Sequence, residues 1–201
     1  EIGAAANRAE LLSEGIAEKG AQVIVIAQMP NYPSGKFYHP YHKKFWRITK
    51  DKKHNIDLLR VPVIPSSRKT VFGRIINYLS YLFTSLIASF FIPKIDLIIS
   101  SSPPPGSIVV GFLNKLVRGK PLLLDARDIM SEYQTIKPNS LFFKLFSTVL
   151  DKIAFWSASV IITVTESLAE HIENITGHNK EVVTVRNALN LARINRQTGK
   201  I

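Results

Sequence analysis

Pro121-Leu-Leu-Leu-Asp-Ala-Arg-Asp128 is an apolar run that closes on charge. A short apolar segment with turn signals at both ends reads as a parallel strand covered on both faces. In an open α/β sheet, ligands bind in the loops just past the carboxyl ends of such strands. Arg127 and Asp128 fall there, and Glu132 follows Ile129, Met130 and Ser131. Two explanations of this charge stand at this point. Arg127 and Asp128 form a structural ion pair capping the next helix, or the loop binds, positions or deprotonates something.

On either side of this strand the chain alternates between the two periodicities. Asn7 to Lys19 reads as a helix stopped by Gly20, and Gln22 to Ala27 as a strand. A polar and aromatic loop runs from Gln28 to about His54, followed by a strand over Ile56 to Val63. An apolar helix, Ile75 to Ile92, precedes a strand at Ile95 to Ser100. Ser101-Ser-Pro-Pro-Pro-Gly106 is a turn into a helix from Ser107 to Val117. The strand Leu122 to Asp125, a helix from Ser140 to Trp156 and a strand from Val160 to Val164 come next, then a helix from Glu166 to Ile175 and a last strand from Val182 to Val185. Repeated βα units of this length predict an α/β fold, a Rossmann-like doubly wound parallel sheet. Such a sheet grows outward from a central first strand. This chain opens on a helix, so that strand is expected to be missing, leaving an unfilled slot beside the strand around Val25. The polar residues 191–201 form a tail without a core pattern.

The 201 residues carry a net charge of +11 and no cysteine, which excludes a disulfide framework and thiolate metal sites. Lys36 through Arg74 holds eleven Lys or Arg against Asp51 and Asp57 alone. A basic block of this kind favours phosphate, on a substrate, a lipid or a nucleic acid. No recognition helix or RNA motif accompanies it, so nucleic acid is not expected as a partner. The eighteen uncharged residues Ile75 to Ile92 follow directly. Leu79, Leu82, Phe83, Leu86 and Phe90 gather on one side at helical spacing, with Ser85 and Ser89 elsewhere. This reads as a long helix partly buried in the fold and able to dip into an anionic membrane surface.

The remaining motifs are local. Ile2-Gly-Ala-Ala-Ala-Asn7 is a glycine turn at a helix start, where backbone N–H groups approach a phosphate, although it lacks the G-x-G-x-x-G spacing. Met29-Pro-Asn-Tyr-Pro-Ser-Gly35 is a rigid loop past a strand end, with an amide and an aromatic face suited to sugar. Thr165 is the expected N-cap of the helix that Glu166 opens. His39 and His42 have no converging carboxylate and read as solvated. No P-loop, nucleophile elbow or H-E-x-x-H occurs, and neither a metal nor an organic cofactor is expected.

In order and spacing these segments resemble the N-terminal domain of GT-B glycosyltransferases of family 4. The resemblance runs from residue 1 to about residue 190. It rests on Glu1-Ile-Gly-Ala-Ala-Ala-Asn-Arg8, Pro30-Asn-Tyr-Pro-Ser-Gly-Lys36, Ser101-Ser-Pro-Pro104, Arg127-Asp128 with Glu132, Val164-Thr-Glu166 and Val185-Arg-Asn187. Among these enzymes it is most similar to the bacterial ones that build O-antigen, capsule or colanic-acid-type polysaccharides on lipid carriers. The family's usual Arg-Asp-Leu-Trp-Pro-Glu is here Arg-Asp-Ile-Met-Ser-Glu, and its Asn-Gly is Asn187-Ala188.

The resemblance implies an acceptor-binding half, residues 1–190, of a retaining enzyme that works at the inner face of the cell membrane. Its partners would be a nucleotide sugar, held by a second domain beyond this chain, and a lipid-linked saccharide. Gly3 would face donor phosphate and acceptor, and Asn31 and Tyr32 would line the acceptor side. Asp128 would orient or deprotonate the acceptor hydroxyl, beside Arg127, Glu132 and Glu166. Without the donor domain the chain alone is expected to be inactive.

Overall fold

The computed structural model describes residues 4–31, 34–39, 41, 47–51, 55–66, 70–132 and 141–188. Helix α1 (Ala4–Glu18) ends before Gly20, whose φ of 94° lies where glycine is favoured. Strands β1 (Val23–Gln28), β2 (Arg47–Asp51) and β3 (Ile56–Val61) follow, then helix α2 (Val71–Phe90). Strand β4 (Ile98–Ser102) leads into α3 (Pro105–Arg118), β5 (Leu122–Ala126) and α4 (Leu141–Ser157). The described chain closes with β6 (Val160–Thr163), α5 (Glu166–Thr176) and β7 (Glu181–Thr184). The architecture is α/β with parallel sheets and helices on both faces, a Rossmann-like arrangement.

Two features correct the sequence reading. The loop read over residues 28–54 contains β2, which pairs antiparallel with β3. The strands also form two sheets, ordered β1-β3-β2 and β4-β5-β6-β7. All pairings other than β2 with β3 are parallel.

The slot expected from the sequence concerns the edge of β1 away from β3. Val23 N donates to Asn55 O and Met29 N to Val61 O, so the odd-numbered residues of β1 bond to β3. Ile24 and Ile26 therefore turn their N–H and C=O groups to the other edge. Among the described residues no strand pairs with that edge, nor with the edge of β4 away from β5. A side chain partly serves in place of a strand. The Tyr81 hydroxyl, from α2, reaches the Ile26 carbonyl at 3.4 Å, and burial pushes its pKa up to about 12. A Cβ at Gly106 would stand 3.2 Å from the same ring, so glycine is what lets α3 start this close to α2.

Strand alternation assigns the faces. Leu124 and Ala126 of β5 join Ile108 of α3, Ala154 and Phe155 of α4, and Ile172 of α5 in the main core. Asp125, between them, points to the opposite face, where Arg8 of α1 meets it. Helices α3, α4 and α5 thus share one face, α2 packs beside α3, and α1 covers the other.

Helix α2 is turned opposite to an ordinary amphipathic helix. Its polar side faces the protein: Asn77, Ser85 and Ser89 are 0, 1 and 4% exposed. Asn77 Nδ2 donates to Ile64 O at 2.8 Å, Thr84 Oγ1 to Pro62 O at 2.8 Å, and Ser89 Oγ accepts from Asn114 Nδ2 at 3.0 Å. These bonds satisfy groups whose burial would otherwise cost about 1–3 kcal/mol each. The apolar stripe faces outward, with Phe72, Leu79, Phe83 and Phe90 at 73, 47, 61 and 58% exposure. Of the stripe read from the sequence, Leu79, Phe83 and Phe90 face outward, whereas Leu82 and Leu86 are half-buried.

Candidate functional site

The register Ala126↔Thr163 puts the carboxyl ends of β5 and β6 side by side, so their following loops emerge together. Between them lies a cavity of about 480 Å³ whose walls include Arg127, Asp128, Glu132, Thr165, Ser167 and His171. The β5 loop is held from two sides. Arg127 N donates to Ser102 O at 3.1 Å, and its guanidinium donates to Pro103 O, tying the loop to the end of β4. On the other side Asp151 of α4 accepts from Met130 N at 3.1 Å and Ser131 N at 2.7 Å. Ile129 is buried in the core and Met130 packs against it. Met130 and Ser131 are thus held by packing and by the Asp151 cap.

The charges in the cleft have distinct surroundings. Burial pushes the Arg127 guanidinium below its ordinary range, while Asp125 and Asp128 push it back up. Its Nε is buried without a partner. Asp128 is exposed to the cleft. Glu132 Oε1 lies 2.6 Å from His171 Nε2, with both side chains about half exposed. A carboxylate beside an imidazole–carboxylate pair suits the orientation and removal of a hydroxyl proton.

Of the residues named from sequence, Arg127, Asp128 and Glu132 come together here. Glu166 sits at the start of α5, next to the cleft but outside its walls, with Oε1 2.8 Å from Arg186 Nη2. The hydrogen bond from Arg186, and then the Glu166 backbone amide, hold its carboxyl below the usual range. Thr165 is the N-cap, its side chain accepting from Leu168 N at 3.2 Å. Asn31 lies just past β1, 1% exposed, with Nδ2 donating to Met29 O at 2.9 Å and Oδ1 buried without a partner. It does not line the cleft around Asp128. Gly3, Tyr32, His42 and the 191–201 tail lie outside the described residues.

Sequence reasoning missed His171 and Asp151. His171 stands one turn after Ser167 on α5, on the side that follows the end of β6; that spacing was the available signal. Asp151 is the one acid of a mostly apolar helix, and such a residue, when buried, needs a donor. Among the described residues no cluster of three His, Cys, Asp or Glu suits a metal ion. A larger cavity of about 860 Å³, lined by Lys152, Trp156, Ile175 and Lys180, lies between the carboxyl ends of α4 and α5. Helices of parallel βα units run back to the amino ends of the strands, so it is remote from the Asp128 loop and carries none of this chemistry.

No protein family matches the chain, and no curated protein does. Among solved structures it is similar to the crystal structure of Anabaena Alr3699/HepE in complex with UDP, at 14% identity and a TM-score of 0.44. The similarity covers 89% of this chain and 50% of that one, so the chain spans half the length of that structure.

Proposed function

We propose that this chain is the acceptor-binding half of a retaining GT-B glycosyltransferase of family 4. It serves transfer of a sugar from a nucleotide sugar to a lipid-linked saccharide in bacterial surface-polysaccharide assembly, at the inner face of the cell membrane. The observation that supports the reading is the cleft past β5 and β6, whose walls carry both Asp128 and the Glu132–His171 pair. Asp128 orients the acceptor hydroxyl and takes its proton as the oxygen bonds to the anomeric carbon and the bond from that carbon to the nucleoside diphosphate breaks, the diphosphate leaving into the second domain. The Glu132–His171 pair holds a neighbouring hydroxyl, and Arg127 fixes the loop and lends positive charge. The nucleotide sugar is held by a second domain.

The test is titration of the chain with a short-chain polyprenyl-phosphate saccharide, followed by NMR. Saturable shifts at Ser131 and Ser167 are expected, with affinity falling roughly tenfold or more in Asp128→Ala and in His171→Ala (about 1.4 kcal/mol per tenfold). Binding of a nucleotide sugar in this cleft instead, or of neither ligand, would overturn the reading. The outward stripe of α2 favours a second reading, a non-catalytic module that binds membrane or polyprenyl phosphate. It predicts the same lipid binding with no dependence on Asp128.

A further inference from the structure

We infer that the outer face of α2 is a docking surface for an anionic lipid bilayer, on which the helix lies in the plane of the interface. The inverted helix is the first ground. Its Ser, Thr and Asn side chains are spent on hydrogen bonds inside the protein, and its exposed stripe is Phe72, Ile75, Leu79, Phe83, Ile87 and Phe90. Those positions recur at intervals of three and four, so they form one continuous strip along the 20 residues. At 1.5 Å per residue the strip is about 30 Å long. Apolar surface on this scale, left facing water, marks an interaction site.

Charge selects the occupant. No charged residue falls between Arg74 and Lys94, so the strip is bracketed by a cation at each end. At the far end Arg118 Nη2 also donates to Ser89 O and Ile92 O, which brings a second cation to the α2 terminus. Helices α3 and α4, next along that face, add Lys115, Lys144 and Lys152, and their one carboxylate, Asp151, is buried; the glutamates of α5 (Glu166, Glu170 and Glu173) lie beyond α4, away from α2. The opposite face is acidic. Helix α1 carries Glu10, Glu14 and Glu18, while its single cation, Arg8, is turned inward to Asp125. Strands β1 and β3 lie between α1 and α2, so one orientation presents the strip and its cations and holds the glutamates away.

That distribution fits an anionic lipid surface better than a second copy of the chain, whose matching strip would bring cation to cation. Among the described residues no helix is long and apolar enough to cross a membrane, which agrees with a helix that lies on the bilayer rather than through it. A polar interior side and an apolar exterior one are the pattern expected where lipid replaces water.

The inference is independent of sugar transfer, because it is read without any sugar. The chain has no cysteine, so single cysteines report cleanly. An environment-sensitive dye on Ile87→Cys should shift to the blue with phosphatidylcholine vesicles containing phosphatidylglycerol. The same dye on Glu18→Cys, on α1, should not shift. Co-sedimentation with those vesicles should fall at least tenfold without phosphatidylglycerol, at high salt, or in Phe83→Gln/Phe90→Gln. The double variant replaces exposed side chains, so its melting temperature should hold. Equal shifts at both labels, no shift at either, or unchanged sedimentation of the double variant would overturn the inference. So would self-association that shifts the Ile87→Cys dye with no vesicles present.

Discussion

The Arg8 guanidinium and the Asp125 carboxylate, 117 positions apart in the chain, meet in a buried pair with Nε and Nη2 2.9 and 2.8 Å from Oδ1. The pair does not stand alone. Asp125 Oδ2 accepts from Ser101 Oγ at 3.2 Å, and Arg8 Nη1 donates to Val185 O at 2.7 Å and Asn187 Oδ1 at 3.2 Å. One guanidinium therefore joins α1, the end of β5 and the exit from β7, three residues upstream of Asp128. It stiffens the base of the candidate cleft.

Removing one partner of such a pair leaves a buried charge unmatched, which costs about 3–5 kcal/mol. Arg8→Met should lose about that much in urea unfolding. Arg8→Met combined with Asp125→Leu should recover most of it, since no buried carboxylate then remains. A single variant as stable as the parent would show that the pair does not hold the sheet ends together.

The open edge of β1 makes a second prediction. Amides of Ile24 and Ile26 point away from β3, whereas those of Val23 and Val25 bond to it. In hydrogen exchange the first two should exchange roughly tenfold faster or more, because they need no sheet opening. Tyr81→Phe should quicken Ile24 and Ile26 further at a stability cost of about 0.5 kcal/mol, the low end for a hydrogen bond, as befits 3.4 Å. Uniform protection along β1 would mean that something other than β3 pairs with this edge.

How much of this was legible beforehand depends on how local each signal was. The run Leu122 to Leu124, the Thr165 cap and the Gly20 stop are local, and their elements appear within a few residues of the expected bounds. Strand β2 was missed because Arg47-Ile-Thr-Lys-Asp51 has only Ile48 and Thr49 as strand formers inside a basic block. The α2 stripe was visible from its spacing, but spacing does not say which side meets the core. That depended on carbonyls at Pro62 and Ile64 offered by the chain before the helix. The Arg8–Asp125 and Glu132–His171 pairs join distant segments, and only the sheet order brings them together.

Glu166 and Arg186 bear on acid behaviour. The Glu166 carboxyl titrates below its ordinary 4.5, chiefly through the Arg186 hydrogen bond. A depressed acid contributes stability that is present above its unfolded pKa and lost as pH falls through the folded one. Arg186→Gln should therefore move the Glu166 titration upward, followed by NMR of the side-chain carboxyl, and high salt should do the same in the parent. No movement in either case would mean that the two groups are not coupled in solution.

Asp151 runs with the opposite sign. Burial raises its carboxyl above the ordinary 3.8, and the amides of Met130 and Ser131 only partly offset this. The folded state then holds its proton more tightly than the unfolded chain, so the contribution is full below 3.8 and lost as pH rises through the folded value. Asp151→Asn has no such titration and keeps only one acceptor for two amides, at a cost of about 1–3 kcal/mol. Its deficit against the parent in urea unfolding should be largest in acid and shrink as pH climbs above 3.8. The loop should also loosen, with faster exchange at Met130 and Ser131 and weaker acceptor binding, while the distant Ile24 and Ile26 amides stay unchanged. A deficit that grows with pH would mean that the two amide bonds outweigh burial, and that the Asp128 loop is held by a charged cap rather than by a carboxyl the fold would prefer protonated.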